Sequence, residues 1–485
     1  MNNKTIKQTF LLFSIIIIEG YVVLSTELLA IRQTIPYIGS GTDTVAVIIA
    51  AILMPLAFGY QSGGQFRAHK IFGHFITVRK KLIYNVCIAA TFLFIGLSYL
   101  FMHSFFRYMS TGANIDNLVL QTAIFCVLFI ATPTYLLGQT VPLITHFFTK
   151  EHLPKITGHI LFFSTLGSFL GAILSTLVFM AILGVHHTLT LNFVLMATLV
   201  ISLSKQPKSF PVLYISLLAF MAMLINSDTV MKVIYPNIRA NNRYNLIQAG
   251  TLPSTGSSLM HINRNNSSSY KKDGTKHPYI NMAEDIAIKP ILYADPPKDI
   301  LVIGAGGFTF GHNDNNNNYT YVDIDKELKP IAERYVLKEP IGDNKRFVAK
   351  PARAFLNTDK STYDVIYIDA YLGRASVPDH LVTQEFFIQV KDHLKYGGAL
   401  LTNFIVAPNF NDSFSQSLDS TFRSIFPYVS RVVMNPPRVE EPYNLWGDNP
   451  DNPANVSYIY RHKEYGTPNI YTDNKNKVIY EKPRY

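Results

Sequence analysis

Two carboxylates and a glycine cluster carry the chemistry open to this sequence. Asp369 follows the short apolar run 363–368, Asp323 lies in the run 319–324, and Gly304, Gly306 and Gly307 follow a third run that begins at Asp299. Glycines at the end of a strand let the backbone approach a ligand closely, and a carboxylate about 20 residues on can accept bonds from ribose hydroxyls. Asp323 stands 17 positions after Gly306. That pairing suits a nucleoside better than a pyrophosphate, because the segment 308–318, with four consecutive asparagines at 315–318, breaks the long helix on which a pyrophosphate would rest. An acid ending a later, central strand faces the same crevice, where it can bind a cationic amine and help neutralise it for attack. Asp369 has that place, with Tyr371 lining the pocket. His380 is an alternative base, although behind Pro378 it serves equally well at a helix start. Cys87 and Cys126 lie in apolar stretches and offer neither a disulfide framework nor metal-ligand spacing.

The elements that must hold these groups alternate. Strands are predicted at 299–304, 319–324, 346–349, 363–368 and 399–404, with helices at 326–335 and 381–394. Such βαβ alternation implies a parallel sheet with ligands at the carboxyl ends of its strands. Before it, residues 238–292 read as a small antiparallel β unit, with extended segments at 244–248 and 258–262 and a turn-rich stretch at 263–269. The tail, 436–485, holds Trp446 and is expected to be a lid or an edge extension.

The first half is of another kind. Charged residues are 16% of the 485, against about 25% in an average soluble domain. Residues 1–226 hold 13 Lys+Arg and 5 Asp+Glu, leaving 30 and 28 of the chain's 43 and 33 for the rest. Disordered, collagen-like and disulfide-scaffold classes are excluded. A bilayer core of ~30 Å needs about 20 apolar residues in a helix, and seven stretches qualify or come close: 10–30, 44–60, 82–102, 118–144, 156–183, 188–203 and 210–226. Lys and Arg collect in alternate loops, 11 against 2, so a basic balance that could suggest nucleic acid is read as topology signal, and no nucleic-acid partner is expected. Seven spans with the N-terminus inside would put residues 227–485 outside. Glu19 and Glu27 lie within the first span; Glu27 is expected to sit near the interface or to pair with Arg32. Gly167 and Gly171, at GxxxG spacing, favour close helix packing. The expected division is 1–226 for a helical membrane domain, 227–292 for a β-rich subdomain and 293–485 for the α/β domain, in a multi-pass protein of the cell (inner) membrane.

The ordered series Leu301-Val-Ile-Gly-Ala-Gly-Gly-Phe308, Val322-Asp-Ile-Asp325, Ala352-Arg-Ala-Phe-Leu356, Tyr363-Asp-Val-Ile-Tyr-Ile-Asp-Ala-Tyr371, Val377-Pro-Asp-His-Leu-Val-Thr-Gln-Glu-Phe-Phe387 and Gly397-Gly398 resembles spermidine synthase. More specifically, the chain resembles the membrane-fused spermidine-synthase-like proteins, whose transmembrane bundle also shows Ser25-Thr-Glu-Leu28 and Leu136-Leu-Gly-Gln-Thr-Val-Pro142. The match covers roughly residues 240–435. The resemblance implies a class I methyltransferase-type Rossmann-like fold and transfer of an aminopropyl group from decarboxylated S-adenosylmethionine to a di- or polyamine. It implies that Gly304, Gly306, Gly307, Asp323 and Ala352 contact the nucleoside and that Asp369 orients the amine, with Tyr371 and Tyr279 beside it. Asp325 matches a second acid and suits a helix cap. The displacement at a carbon next to a sulfonium requires positioning and one proton transfer, and no metal. A small-molecule polyamine and membrane lipid are the implied partners, and a homodimer is left open.

The sequence departs from the family at three points. Lys350-Pro351 stands where an adenine-binding Asp is expected, Leu372 where a second substrate-facing acid is expected, and 265–267 replaces a glutamine of the substrate loop. Each removes a polar contact worth ~1–3 kcal/mol. Two other readings therefore stand beside the transferase: a non-catalytic polyamine- or nucleoside-binding sensor or transport regulator, and an S-adenosylmethionine-dependent methyltransferase.

Overall fold

Each of the seven apolar stretches becomes helix; two of them are broken, and a third bend follows the last. The computed structural model describes residues 3–39, 41–71, 74–115, 117–148, 153–372, 377–434 and 454–462. Helices α1 (Asn3–Ile38) and α2 (Thr42–Gly64) are followed by a short hairpin, β1 (His69–Ile71) and β2 (His74–Ile76). Then come α3 (Val78–Gly96), α4 (Tyr99–Thr111), α5 (Leu118–Phe129), α6 (Ala131–Gly138), α7 (Thr140–Thr145), and α8 (Leu153–Ile173), which runs through a π turn into α9 (Met180–Ile182). The first half closes with α10 (Val185–Leu203), α11 (Phe210–Ile225) and α12 (Asp228–Ile234). Among the described residues, four helices are long and apolar enough to cross a membrane, or up to seven if each bent pair is one span.

The bends have local causes. The stretch expected at 82–102 turns by 60° at Gly96-Leu97-Ser98, where glycine and serine loosen the ladder. The stretch 118–144 turns by 44° because Pro133 has no N–H to give the carbonyl four residues back. The last bends by 59° at Asn226, where Ser227 Oγ accepts from Val230 N and starts α12 afresh.

The GxxxG expectation holds as close packing. A Cβ added at Gly171 would lie 2.5 Å from the carbonyl oxygen of Tyr21, and one at Gly20 would lie 2.5 Å from that of Ser164. Glycines on both helices thus let α1 and α8 meet backbone to backbone. Polar side chains tie other helices together: Asn85 on α3 donates to Gln139 Oε1 at 2.8 Å, and Gln139 donates to Ser62 on α2 at 3.1 Å. Of the two alternatives expected for Glu27, the pair with Arg32 does not form among the described residues. Arg32 instead donates from Nε to the main-chain oxygen of Asn242 at 3.0 Å, reaching the β unit that follows.

That unit is a four-stranded antiparallel sheet in sequential order, β3 (Ile238–Asn241), β4 (Leu246–Thr251), β5 (Ser258–Ile262) and β6 (Asn265–Tyr270). The stretch 263–269, read as turn, is mostly strand. Only Asn263 and Arg264 turn, both at positive φ, and the polar Asn-Asn-Ser-Ser-Ser run of β6 hides a strand behind turn-forming residue types. Helix α13 (Pro278–Ala287) leads into the larger sheet.

The larger sheet has seven strands: β7 (Asp299–Ile303), β8 (Asn318–Asp323), β9 (Lys345–Ala349), β10 (Tyr363–Ile368), β11 (Leu394–Val406), β12 (Ser430–Met434) and β13 (Ala454–Arg461). Their order is β9-β8-β7-β10-β11-β13-β12. Neighbours from β9 through β11 are parallel, and β13 runs antiparallel between β11 and β12. This is the Rossmann-like, class I methyltransferase-type fold. Helices α14 (Leu328–Ala332), α15 (Ala352–Thr358), α16 (Gln384–Asp392) and α17 (Ser413–Ile425) complete it. Two hydrophobic clusters form its core: Ile300, Val302, Tyr321 and Tyr367 belong to one, Leu301, Ile303, Ile366 and Ile368 to the other. That split is what strands buried on both faces require. Part of the tail is a correction: residues 454–461 are an internal strand, not an edge. Trp446 lies outside the described residues. As expected, no helix forms across the asparagine run; Asp314 Oδ1 accepts from the N–H groups of Asn316 and Asn317 and shapes it as a turn.

Substituting Gly171→Val should separate α1 from α8 and cost about 1–3 kcal/mol by overpacking. A lowered thermal midpoint of the detergent-solubilised protein checks it, with Gly158→Ala as control, since a Cβ there meets nothing within 4 Å.

Candidate functional site

Three parallel strands deliver the candidate groups to one edge of the sheet. β7 ends at the glycines, β8 at Asp323, and β10 just before Asp369. Gly304 adopts φ +90° and Gly306 φ +50°, conformations that glycine takes at no steric cost. A Cβ on Gly304 would collide with the carbonyl oxygen of Asp369, so the two loops can lie this close only with glycine there. The register is held by Asp369 N donating to Ile303 O at 2.9 Å and Gly304 N donating to Val322 O at 3.0 Å.

Asp369 is surrounded by donors. Tyr279 and Tyr367 hydroxyls donate to its Oδ2 at 3.1 and 3.2 Å, and Asn403 Nδ2 donates to Oδ1 at 3.0 Å. Burial pushes the carboxyl above its ordinary range, while these three bonds pull the other way. Among the described residues no hydrogen bond joins Tyr371 to Asp369; the Tyr371 hydroxyl donates to the main-chain oxygen of Asn403 at 2.8 Å. Tyr279 stands on the first turn of α13, just after Pro278. That helix is fixed through Glu284 Oε1, which accepts from Lys276 Nζ at 2.6 Å and Gly311 N at 2.5 Å.

Asp323 accepts from Ala305 N at 3.1 Å and from Asp325 N at 3.2 Å. Burial nonetheless pushes its carboxyl up to about 6. Gly307 N donates to Ser268 Oγ at 2.8 Å, which ties the glycine loop to β6. Ala352 opens α15 behind Pro351. The strand before it is brought alongside Asp323 by Lys350 N donating to Asp323 O at 2.8 Å. Asp325 is fully buried. Its carboxylate accepts from Asn242 and Asn245 side chains at 3.0 Å and from Glu327 N at 3.1 Å, so it both caps the following turn and anchors the β unit. His380 is exposed on a 3-10 turn (Asp379–Leu381), and no hydrogen bond among the described residues joins it to Asp369. Leu372 offers only its carbonyl, which accepts from Asn263 Nδ2 at 3.0 Å.

Several of these partners escape a reading of sequence alone. Tyr367 and Asn403 lie inside apolar strands; a polar residue in such a strand is itself a signal, because burying it requires a partner. Asn403 Oδ1 is buried and, among the described residues, has no hydrogen-bond partner; the same side chain donates to Asp369. Ser268 and the asparagines at 242, 245 and 263 look like ordinary turn residues and become meaningful only through the tertiary fold.

No family model matches the chain. Among curated proteins it is similar to the polyamine aminopropyltransferase of Vibrio vulnificus, 30% identical over 162 residues, 31% of this chain and 49% of that one. It is also similar to polyamine aminopropyltransferase 2 of Pseudomonas aeruginosa, 28% identical over 159 residues, 31% of this chain and 46% of that one. Over that stretch the chain resembles polyamine aminopropyltransferases. It spans about half the length of those two relatives. Among solved structures, the chain is similar to a probable spermidine synthase from Corynebacterium glutamicum at 19% identity, with a TM-score of 0.38, over 47% of this chain and 80% of that one. The spermidine synthase of Thermotoga maritima gives 18%, 0.34, 45% and 71%.

The raised Asp323 carboxyl sets a pH dependence. Its value in the fold lies above the ordinary 3.8, so the neutral acid's contribution to stability is fully present below about pH 4 and is lost as pH rises through about 6. The thermal midpoint of the ligand-free protein should therefore fall across that interval, and Asp323→Asn should flatten the fall. Midpoints of the two proteins measured side by side against pH check this.

Proposed function

We propose that the chain is a membrane-anchored aminopropyltransferase that moves the aminopropyl group of decarboxylated S-adenosylmethionine to a di- or polyamine. The observation that carries the reading is the convergence at one sheet edge of the flexible glycine loop, the Asp323 carboxylate and the donor-ringed Asp369. Gly304 and Gly306 admit the nucleoside, Asp323 accepts from its ribose hydroxyls, and Ala352 borders the adenine. Asp369 and the unpartnered Asn403 Oδ1 receive the incoming ammonium and hold it until a proton leaves.

The step balances without further reagents. The amine nitrogen forms a bond to the carbon next to the sulfonium, and the carbon–sulfur bond breaks. Its electron pair neutralises sulfur and releases a thioether nucleoside, while the nitrogen loses one proton to Asp369 or to water. The cationic donor already carries its leaving group, so the protein supplies position and proton management. Tyr279 and Tyr367 keep Asp369 aimed, and Tyr371 braces the strand that carries Asn403. The apolar helices anchor the enzyme in the cell membrane. S-adenosyl donors are cytosolic, so activity requires the α/β half on that side and an even number of crossings before it.

A second reading is favoured by Leu372. Where the resemblance calls for another substrate-facing acid, its carbonyl is tied to Asn263 and its side chain carries no charge. A non-catalytic domain that binds polyamine or nucleoside and reports to the helices fits that loss.

Mass spectrometry of the full-length protein in detergent, incubated with decarboxylated S-adenosylmethionine and a panel of diamines, separates the two. The transferase yields an aminopropylated amine, and Asp369→Asn lowers its formation by about 100-fold or more, the scale of a positioned acid–base group. A folded protein that forms no product supports the sensor.

A further inference from the structure

A second group of chemically active side chains lies far in sequence from the crevice, where the helical half joins the β unit. α10 begins Val185-His186-His187 after Gly184, whose φ of +84° turns the chain sharply into the helix. The two imidazoles leave the first turn side by side, ring centroids 4.2 Å apart. Both reach the same oxygen: His186 Nε2 is 2.9 Å and His187 Nε2 3.3 Å from Oδ1 of Asp228, the first residue of α12. All three candidate ligand atoms lie within 4.8 Å of one another. We infer that His186, His187 and Asp228 form a binding site for a divalent transition-metal ion of the zinc type, clamping the start of α10 to α12.

Three observations support it. Zinc bonds to nitrogen and oxygen of about 2.0–2.2 Å in a tetrahedron place neighbouring ligand atoms roughly 3.3–3.5 Å apart. The two measured edges are 2.9 and 3.3 Å, so one already matches that separation and the other opens by a few tenths of an ångström to admit the ion. A plain tie between two helices needs one imidazole, whereas here two converge on one carboxylate oxygen. The donor set, two imidazoles and a carboxylate, suits zinc and its neighbours rather than the hard, oxygen-seeking magnesium or calcium ions.

The surroundings provide what a ligating histidine needs. A metal-bound imidazole donates its other N–H to a nearby oxygen, which fixes the tautomer. His186 Nδ1 lies 3.4 Å from the side-chain amide of Asn241 on β3. The nitrogen and oxygen of an asparagine amide are assigned from its partners. Turned over, Asn241 presents its oxygen to His186 Nδ1–H and to the Tyr99 hydroxyl, now 3.0 Å from the amide, and that hydroxyl can donate as readily as accept. His186 Nε2 then points its lone pair toward Asp228. The Asp228 side chain is 70% exposed and that of His187 41%, so water reaches the remaining coordination position. The chain continues from α12 directly into β3, and a metal here would brace the junction between helices and sheet.

The test is zinc titration by calorimetry of tag-free, full-length protein in detergent, stripped beforehand with a chelator. One equivalent of Zn²⁺ per chain is expected, with a higher thermal midpoint on loading, and Co²⁺ should give the visible absorption of a four-coordinate site. His187→Gln leaves the His186–Asp228 contact in place and should fold; it should weaken zinc binding about tenfold or more, as should Asp228→Asn, which keeps a hydrogen-bond acceptor for His186. No saturable zinc uptake by the wild-type protein, or uptake unchanged in both variants, overturns the proposal. Neither outcome bears on aminopropyl transfer, which uses none of these residues.

Discussion

A carboxylate can be shut among tyrosine rings only if donors meet it there, and Asp369 is met from three elements at once. Tyr279 comes from α13, Tyr367 from β10 and Asn403 from β11. The surrounding architecture serves that meeting. β10 and β11 must be adjacent and parallel, α13 must be pinned by Glu284 to the loop that follows the glycines, and Gly304 must lack a side chain so that β7's loop can lie against Asp369. Removing a donor would leave the acid both buried and uncompensated, at a cost of about 1–3 kcal/mol. The same burial raises its proton affinity, which suits the proton transfer proposed for it.

A second set of contacts joins the two halves of the chain. Arg32 on α1 bonds the carbonyl of Asn242, the Asn242 side chain bonds Asp325, and Asp325 N bonds the carboxylate of Asp323. A buried arginine of the first long apolar helix is thus three hydrogen bonds from the Asp323 carboxylate. Asn263, between Asn245 and the carbonyl of Leu372, extends the link to the loop after β10. The asparagine-rich turns are not filler: each side chain offers donor and acceptor together, which is what a junction of strands with unsatisfied ends requires.

The sequence made much of this legible. Strands with β-branched, apolar runs (β7, β8, β10) stood out because burial on both faces leaves no polar positions to confuse the pattern, and their closing residues located Gly304, Asp323 and Asp369. The glycine spacing in α8 announced close packing, and the asparagine tract announced the missing helix. What failed did so for physical reasons. β6 is built from serine and asparagine and carries no hydrophobic signature. β13 lies beyond a long connection, so its place inside the sheet is a tertiary fact. Arg32 looked like a partner for Glu27 because helix spacing is visible in sequence and the approach of Asn242 is not. Breaks at Gly96 and Pro133 were readable, but whether each bends a span or ends it depends on packing.

In the proposed function the glycine loop and Asp323 form the nucleoside seat. Calorimetric titration of the full-length protein in detergent with decarboxylated S-adenosylmethionine tests this most directly. One saturable site per chain is expected, weakened about tenfold or more by Asp323→Ala, the scale of a lost charge-assisted hydrogen bond, and retained in Asp369→Asn. A folded protein that binds none of the nucleoside, or binds it equally well without the Asp323 carboxylate, would contradict the account.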